Sequence, residues 1–129
     1  MKFKSDKDKD LFFCLHPALI LIFADLNWYA KYKHGVDLVI TQTISSKIED
    51  IALKRVSKAH RNAIAIDVRT KDLDVFVVED IKNYINNKDE YQKYKYLANS
   101  GKKRLAYYHI GSEEHLHIAL HSKFAIKSK

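Results

Sequence analysis

Four residues in two distant segments have the types and spacing of a metal-dependent hydrolytic site. His60 and Asp67 lie seven positions apart with small and apolar residues between them, and Glu114 precedes His117 by three positions. Imidazole nitrogen and carboxylate oxygen are zinc ligands, and a hydrolytic zinc site needs three protein ligands, an open position for water and a nearby base. His60, Asp67 and His117 could therefore bind one zinc ion, and Glu114 could accept a proton from water.

The order of these residues resembles the motif of a family of zinc peptidases. That family includes D-alanyl-D-alanine carboxypeptidases and dipeptidases and the L-alanyl-D-glutamate endopeptidases of phage endolysins. Its pattern is His, a glycine turn, a packing alanine and Asp, followed downstream by an acidic residue, two further residues and His. In this chain the matching residues are, in order, His60, Ala63, Ala65, Asp67, Glu114 and His117.

The resemblance implies a fold, a cofactor and a substrate. The fold would be the hedgehog/DD-peptidase type: an α+β domain with a small, mostly antiparallel sheet and packed helices. The ligands of one zinc ion would be His60, Asp67 and His117, with Glu114 as general base. The substrate would be a peptidoglycan stem peptide, cut either between L-Ala and D-Glu or at D-Ala-D-Ala. The chain would then be a zinc metallopeptidase of the bacterial cell wall.

The chain departs from the family pattern at two positions. Ala63 stands where the family usually has glycine, which raises the question of a positive φ there. Ser45 aligns with a family arginine that contacts the substrate. Arg61 or Arg69 could reach a substrate carboxylate instead. His115 could be a substitute metal ligand or a group that supports one. A catalytically impaired zinc-binding or wall-binding module on the same fold is therefore the alternative.

Strand parity supports the metal site independently of the resemblance. The segment 63–69 and the segment 115–120 both alternate as strands do, so residues of the same parity share a face. In each strand the aliphatic residues lie on one face. Asp67 and His117 lie on the other. We also predict helices over residues 18–32, 47–54 and 72–87, and strands over 36–43 and 105–110.

Composition predicts one globular domain. The chain has 129 residues, of which 47% are hydrophobic and 30% charged, which is typical of a folded protein that is not disordered. We predict a flexible N-terminal arm over residues 1–10, a single zinc peptidase-like domain over 11–124 and a basic tail over 125–129. Residues 1–10 alternate Lys and Asp and offer little to bury.

The net charge of +7 allows an anionic partner but does not identify one. Lys and Tyr interleave between Lys88 and Ala98, as in some surfaces that bind single-stranded nucleic acid. No recognised nucleic-acid motif accompanies them, so we expect no nucleic-acid partner, and we expect a monomer. Neither a transmembrane segment nor a signal peptide is predicted. We therefore expect cytoplasmic synthesis, with action on the wall only after release.

Overall fold

Five strands form the sheet that carries both parts of the predicted site. The computed structural model describes residues 1–54, 57–111 and 113–126. The strands are β1 (Lys2–Phe3), β2 (Val39–Gln42), β3 (Ala65–Arg69), β4 (Tyr96–Leu97), β5 (Lys103–Arg104), β6 (Ala106–His109) and β7 (His115–Ala119). The main sheet has the order β1-β2-β3-β7-β6, and β4 and β5 form a separate two-stranded sheet.

Within the described part of the chain, four α-helices accompany the sheet. They are α1 (Asp6–Leu11), α2 (Pro17–His34), α3 (Lys47–Ala52) and α4 (Val75–Asn86). In the main sheet β1 pairs with β2 in parallel, and the other pairings are antiparallel. The predicted α+β class with a small, mostly antiparallel sheet and packed helices is confirmed.

The two faces of the sheet have opposite character, as strand parity predicts. Ile66 and Val68 of β3, and Leu116 and Ile118 of β7, have no exposed surface. These aliphatic side chains form the core together with the buried faces of α2 and α4. The residues between them in sequence, including Asp67 and His117, project from the opposite face. One face of the sheet therefore packs against the core, and the other face carries Asp67 and His117.

The ends of the long helices follow from local chemistry. Pro17 occupies the first turn of α2, where its missing N–H costs no hydrogen bond, and Gly35 ends the helix with a left-handed φ of 66°. The short helix α3 begins with a capping box between Ser46 and Glu49. The N-cap of α4 is Asp74, whose carboxylate accepts a hydrogen bond from the N–H of Phe76.

Residues 1–10, predicted to be a flexible arm, contain a strand and most of a helix in the structure. Lys2 and Phe3 form β1 and pair with Val39 and Ile40. The Asp8 carboxylate is buried, and its Oδ1 accepts hydrogen bonds from the N–H of Thr43 at 2.9 Å and from the Thr43 hydroxyl at 2.7 Å. One acid of this alternating segment, Asp8, points into the domain, and its partner Thr43 lies far along the chain. The first ten residues are thus part of the domain.

The C-terminal part of the chain also differs in detail from the prediction. Residues 89–94 of the segment in which Lys and Tyr interleave form a 3-10 helix, which is followed by β4. In the predicted tail, the N–H of Ile126 donates a hydrogen bond to the carbonyl of Asn62 at 2.9 Å. Residues 127–129 of that tail lie outside the described residues, as do residues 55 and 56, which precede His60 in the chain.

A partly buried carboxylate, that of Asp25, ties the 3-10 helix to α2. Asp25 accepts hydrogen bonds from the hydroxyl groups of Tyr84 at 2.7 Å and Tyr91 at 2.6 Å, and from the Lys88 ammonium at 2.8 Å. Burial alone would raise the pKa of Asp25. The three donors and the charge of Lys88 outweigh burial, so the pKa is lowered.

Replacing Asp25 with asparagine is expected to destabilise the protein by about 1–3 kcal/mol at pH 7, because the ionised hydrogen-bond acceptor is lost. A lowered pKa in the folded state adds stability above the unfolded pKa near 4, and this stability is lost as the pH falls through the folded value. Urea unfolding should therefore show a larger difference between wild type and Asp25→Asn at pH 7 than at pH 3. Asp72→Asn, at an exposed acid, is the matched control and should leave both midpoints unchanged.

Candidate metal centre

The imidazoles of His60 and His117 both contact one carboxylate oxygen of Asp67. The three residues come from separate elements of the fold. Asp67 of β3 lies directly opposite His117 of β7 in the antiparallel register, and His60 comes from the turn that precedes β3. Oδ1 of Asp67 lies 2.9 Å from Nδ1 of His117 and 3.2 Å from Nε2 of His60. One ligand atom from each residue lies within 4.8 Å of the other two. The structure thus brings together the three predicted metal ligands.

The spacing of these atoms suits a single divalent ion. With zinc bonds of 2.0–2.1 Å, two ligand atoms of a tetrahedral site are separated by about 3.4 Å. Both nitrogen-to-oxygen distances at Asp67 are close to this separation. The two imidazole nitrogens lie within 4.8 Å of each other, so the three residues could hold one ion.

A hydrogen bond to the main chain decides which nitrogen of His60 faces Asp67. Nδ1 of His60 lies 2.8 Å from the carbonyl oxygen of Thr43 and must donate a proton to it. A neutral His60 then has only a lone pair on Nε2, which faces the Asp67 carboxylate. Two lone pairs in contact are unfavourable unless a proton or a metal ion lies between them. The Thr43 carbonyl also fixes the ring in the orientation that metal-binding histidines usually have.

The electrostatics of Asp67 favour the ionised form that a metal needs. Its side chain is buried, and burial raises the pKa. Hydrogen bonds with His117 and His60, and their charges, outweigh that effect and hold the pKa of Asp67 far below its usual range. The carboxylate is therefore negative at any ordinary pH.

The open side of the three residues faces a cavity of about 600 Å³, which we call the site cavity. His115 and Arg69 also line it, and they are directly opposed in the register of β3 and β7. Nδ1 of His115 lies 2.7 Å from the Glu113 carbonyl, and its Nε2 lies 3.6 Å from Oδ1 of Asp67. His115 is thus a neighbour of the metal ligands, consistent with either role predicted for it.

Glu114 lines the site cavity, and its carboxylate has two hydroxyl partners. Oε2 accepts a hydrogen bond from the Thr70 hydroxyl at 2.7 Å. The Tyr108 hydroxyl bonds the same carboxylate, and burial together with this bond raises the pKa of Tyr108. Thr70 and Tyr108 are both buried. The orientation of Glu114 is therefore set by these two residues, and its role as general base stays a prediction.

The predicted substrate-binding residues separate into two groups. Arg69 and His115 line the site cavity. Ser45 is buried and donates a hydrogen bond to Oδ1 of Asp50 at 2.5 Å, and Nε of Arg61 lies 3.4 Å from the other oxygen of Asp50. Ser45 and Arg61 thus hold α3 against the turn that carries His60. Of the two arginines, Arg69 is the one that lines the site cavity.

The backbone at Ala63 has the conformation that the family glycine would adopt easily. Ala63 has a φ of 61° and is buried. A left-handed conformation costs an L-residue about 1–2 kcal/mol relative to the right-handed one. The N–H of Ala63 donates to the carbonyl of His60 at 3.1 Å and closes the turn. The strained residue thus belongs to the loop that presents His60 to Asp67.

Sequence reasoning missed two residues that position the site. The main-chain carbonyl of Thr43 accepts a hydrogen bond from Nδ1 of His60. No side-chain pattern in the sequence reveals such a contact. Thr70 holds Glu114 and directly follows the β3 strand, so the parity of that strand could have placed it on the buried face. His109 also lines the site cavity, where its ring stacks on His115 with centroids 5.1 Å apart.

Comparisons with known proteins find no matching protein family, no matching curated protein and no matching solved structure. Within the described residues, no helix combines the length and the apolar character needed to cross a bilayer.

Proposed function

We propose that this chain is a zinc-dependent peptidase that hydrolyses peptidoglycan stem peptides, of the L-Ala-D-Glu endopeptidase or the D-Ala-D-Ala carboxypeptidase type. The observation that carries the proposal is the convergence of His60, Asp67 and His117 on one open cavity. Two imidazoles and one carboxylate form the ligand set of many hydrolytic zinc sites, and three protein ligands leave a position for water. The resemblance of the motif supplies the substrate class.

In this proposal each residue of the site has a defined task. A bound zinc ion would supply a water molecule of lowered pKa and would polarise the scissile carbonyl. Asp67 would provide the negative charge of the ligand set, and Thr43 would keep His60 in the required tautomer. Glu114 would accept the proton of the water and return it to the leaving amine, with Thr70 and Tyr108 orienting its carboxylate.

Arg69 is the residue of the site cavity best suited to bind an acidic group of a substrate. The cations Lys4, Arg69 and Lys71 line the cavity, and so do the acids Asp67, Glu113 and Glu114. A guanidinium group binds a carboxylate through two parallel hydrogen bonds, so Arg69 is the preferred partner for a carboxylate of the stem peptide. Arg69 would thereby replace the family arginine whose position is occupied by Ser45.

Replacing Arg69 with glutamine is expected to raise KM for an acidic stem peptide by about 10-fold or more, because one charge-assisted hydrogen-bonding partner is lost. With a peptide in which the carboxylate is an amide, wild type and Arg69→Gln should differ little. Steady-state hydrolysis of the two peptides by both proteins measures this. An equal loss on both peptides would contradict a role for Arg69 in carboxylate binding.

The proposed function is tested by metal removal and restoration on purified peptidoglycan. Zinc-loaded protein should release material from the wall, treatment with 1,10-phenanthroline should abolish the release, and added zinc should restore it. Mass spectrometry of the products distinguishes the two bonds: one cut exposes the D-Glu amine and the other liberates D-Ala. A zinc-loaded protein that releases nothing from walls of several peptide types would contradict the proposal.

Two observations favour a second candidate, a zinc-binding or wall-binding module without turnover. The Glu114 carboxylate is already engaged by Thr70 and Tyr108, and position 45 lacks the family arginine. Such a module would bind one zinc ion per chain and would sediment with insoluble peptidoglycan without cleaving it. The same wall assay, with the pellet and the soluble products both measured, separates the two candidates.

A further inference from the structure

The site face of the sheet changes character along β3 and β7. At one end Arg69 is opposite His115, in the middle Asp67 is opposite His117, and at the other end Ala65 is opposite Ala119. Side chains on one face of a strand recur every second residue, so these three pairs form a continuous row. The row passes from charged and polar groups, through the metal ligands, to small apolar groups.

A second cavity of about 490 Å³ lies at the apolar end of this row. His117 and Ser57 line both this cavity and the site cavity, so the two adjoin at a metal ligand. The walls of the second cavity include Ile64, Ala119 and Leu97 of β4, together with polar residues such as Lys58 and Asn62. Apolar atoms still make up the larger part of its lining, whereas polar and apolar atoms line the site cavity in similar amounts.

We propose that the second cavity is an apolar subsite, which holds an alkyl side chain of the substrate next to the bond that is cut. This inference rests on the proposed metal site. From His115 to Ala119 the strand spans about 14 Å, which matches about four residues of an extended peptide. A peptide along this row would lay its acidic group near Arg69, its scissile carbonyl near His117 and its apolar side chain against Ala119 and Leu97.

Leu97 gives the subsite a wall that can be changed without disturbing the core. It is 65% exposed, and it lies on β4 in the small separate sheet. Leu21 of α2 is a matched control, because it is 68% exposed and is not among the residues that line either cavity. Replacing either leucine with aspartate makes the same chemical change at the same degree of exposure.

The test uses alkyl hydroxamates, which bind zinc through the hydroxamate group and differ only in the length of the alkyl arm. Calorimetry with the zinc-loaded full chain gives dissociation constants for acetohydroxamate, butanohydroxamate and hexanohydroxamate. Each methylene buried in the second cavity should improve affinity by about fourfold. Leu97→Asp should remove this gain and leave acetohydroxamate affinity unchanged, and Leu21→Asp should behave as wild type.

Affinities that do not rise with arm length in the wild type would overturn the inference, as would a gain that persists in Leu97→Asp. Absence of acetohydroxamate binding would also overturn it, because the metal anchor would be missing. The hydroxamates report binding without turnover. A chain that shows the length-dependent gain but cleaves no peptidoglycan would therefore support the subsite and contradict the proposed peptidase activity, so the two failures are distinguishable.

Discussion

Replacing Asp67 with asparagine is expected to lower zinc affinity by more than about 100-fold, a larger loss than removal of a residue that only supports a ligand. The carboxylate is the one negative group of the proposed ligand set, and both imidazoles meet at its Oδ1. Hydrolysis of peptidoglycan should fall to background in the same variant. Metal content by emission spectroscopy, and competition with a chromophoric chelator, measure the affinity.

Asp72→Asn is the control for Asp67→Asn, because it makes the same change of charge at an exposed position on the same chain. Its zinc content should equal that of the wild type. One tightly bound zinc ion per chain in Asp67→Asn would show that the metal binds elsewhere. A circular dichroism spectrum and a thermal unfolding curve for each variant separate a lost ligand from a lost fold.

Replacing Glu114 with glutamine is expected to reduce the rate of hydrolysis by about 10²–10⁴-fold while zinc stays bound, because a general base is removed and the metal ligands are not. Glutamine has nearly the same shape and can still accept a hydrogen bond from Thr70. The measurement is kcat on a soluble stem peptide, with metal content determined on the same sample.

The adjacent Glu113 supplies the matched control for Glu114. It is exposed and also lines the site cavity, so Glu113→Gln changes the local charge equally and should retain activity. Full activity in Glu114→Gln would indicate that this carboxylate only joins Thr70 to Tyr108. In that case the thermal midpoint, but not kcat, should fall in the variant, and the base would have to be sought elsewhere.

Strand parity explains why much of the site could be predicted from the sequence. An alternation of period two fixes which side chains share a face, so aliphatic residues at 64, 66 and 68 require Asp67 to point away from the core. The same reasoning applies to His117. The motif spacing then suggests that the two strands are neighbours, and the structure places Asp67 and His117 directly opposite each other.

The features that the sequence did not predict depend on contacts between distant segments of the chain. Asp8 reads as one of several exposed acids until its partner at Thr43 is known. Ser45 and Arg61 read as candidates for substrate binding until Asp50 is found between them. In each case a polar residue satisfies a buried partner, which is a tertiary requirement with no local pattern. Periodicity and propensity describe neighbours in sequence, so they carry no information about such pairs.

The contact between Asp8 and Thr43 links α1 to the candidate metal centre. Thr43 is bound by Asp8 through its N–H and hydroxyl, and its carbonyl orients the His60 ring. Only the residue Thr43 therefore lies between Asp8 of α1 and His60 of the candidate metal centre. Truncation or distortion of residues 1–11 should consequently weaken metal binding at the candidate centre.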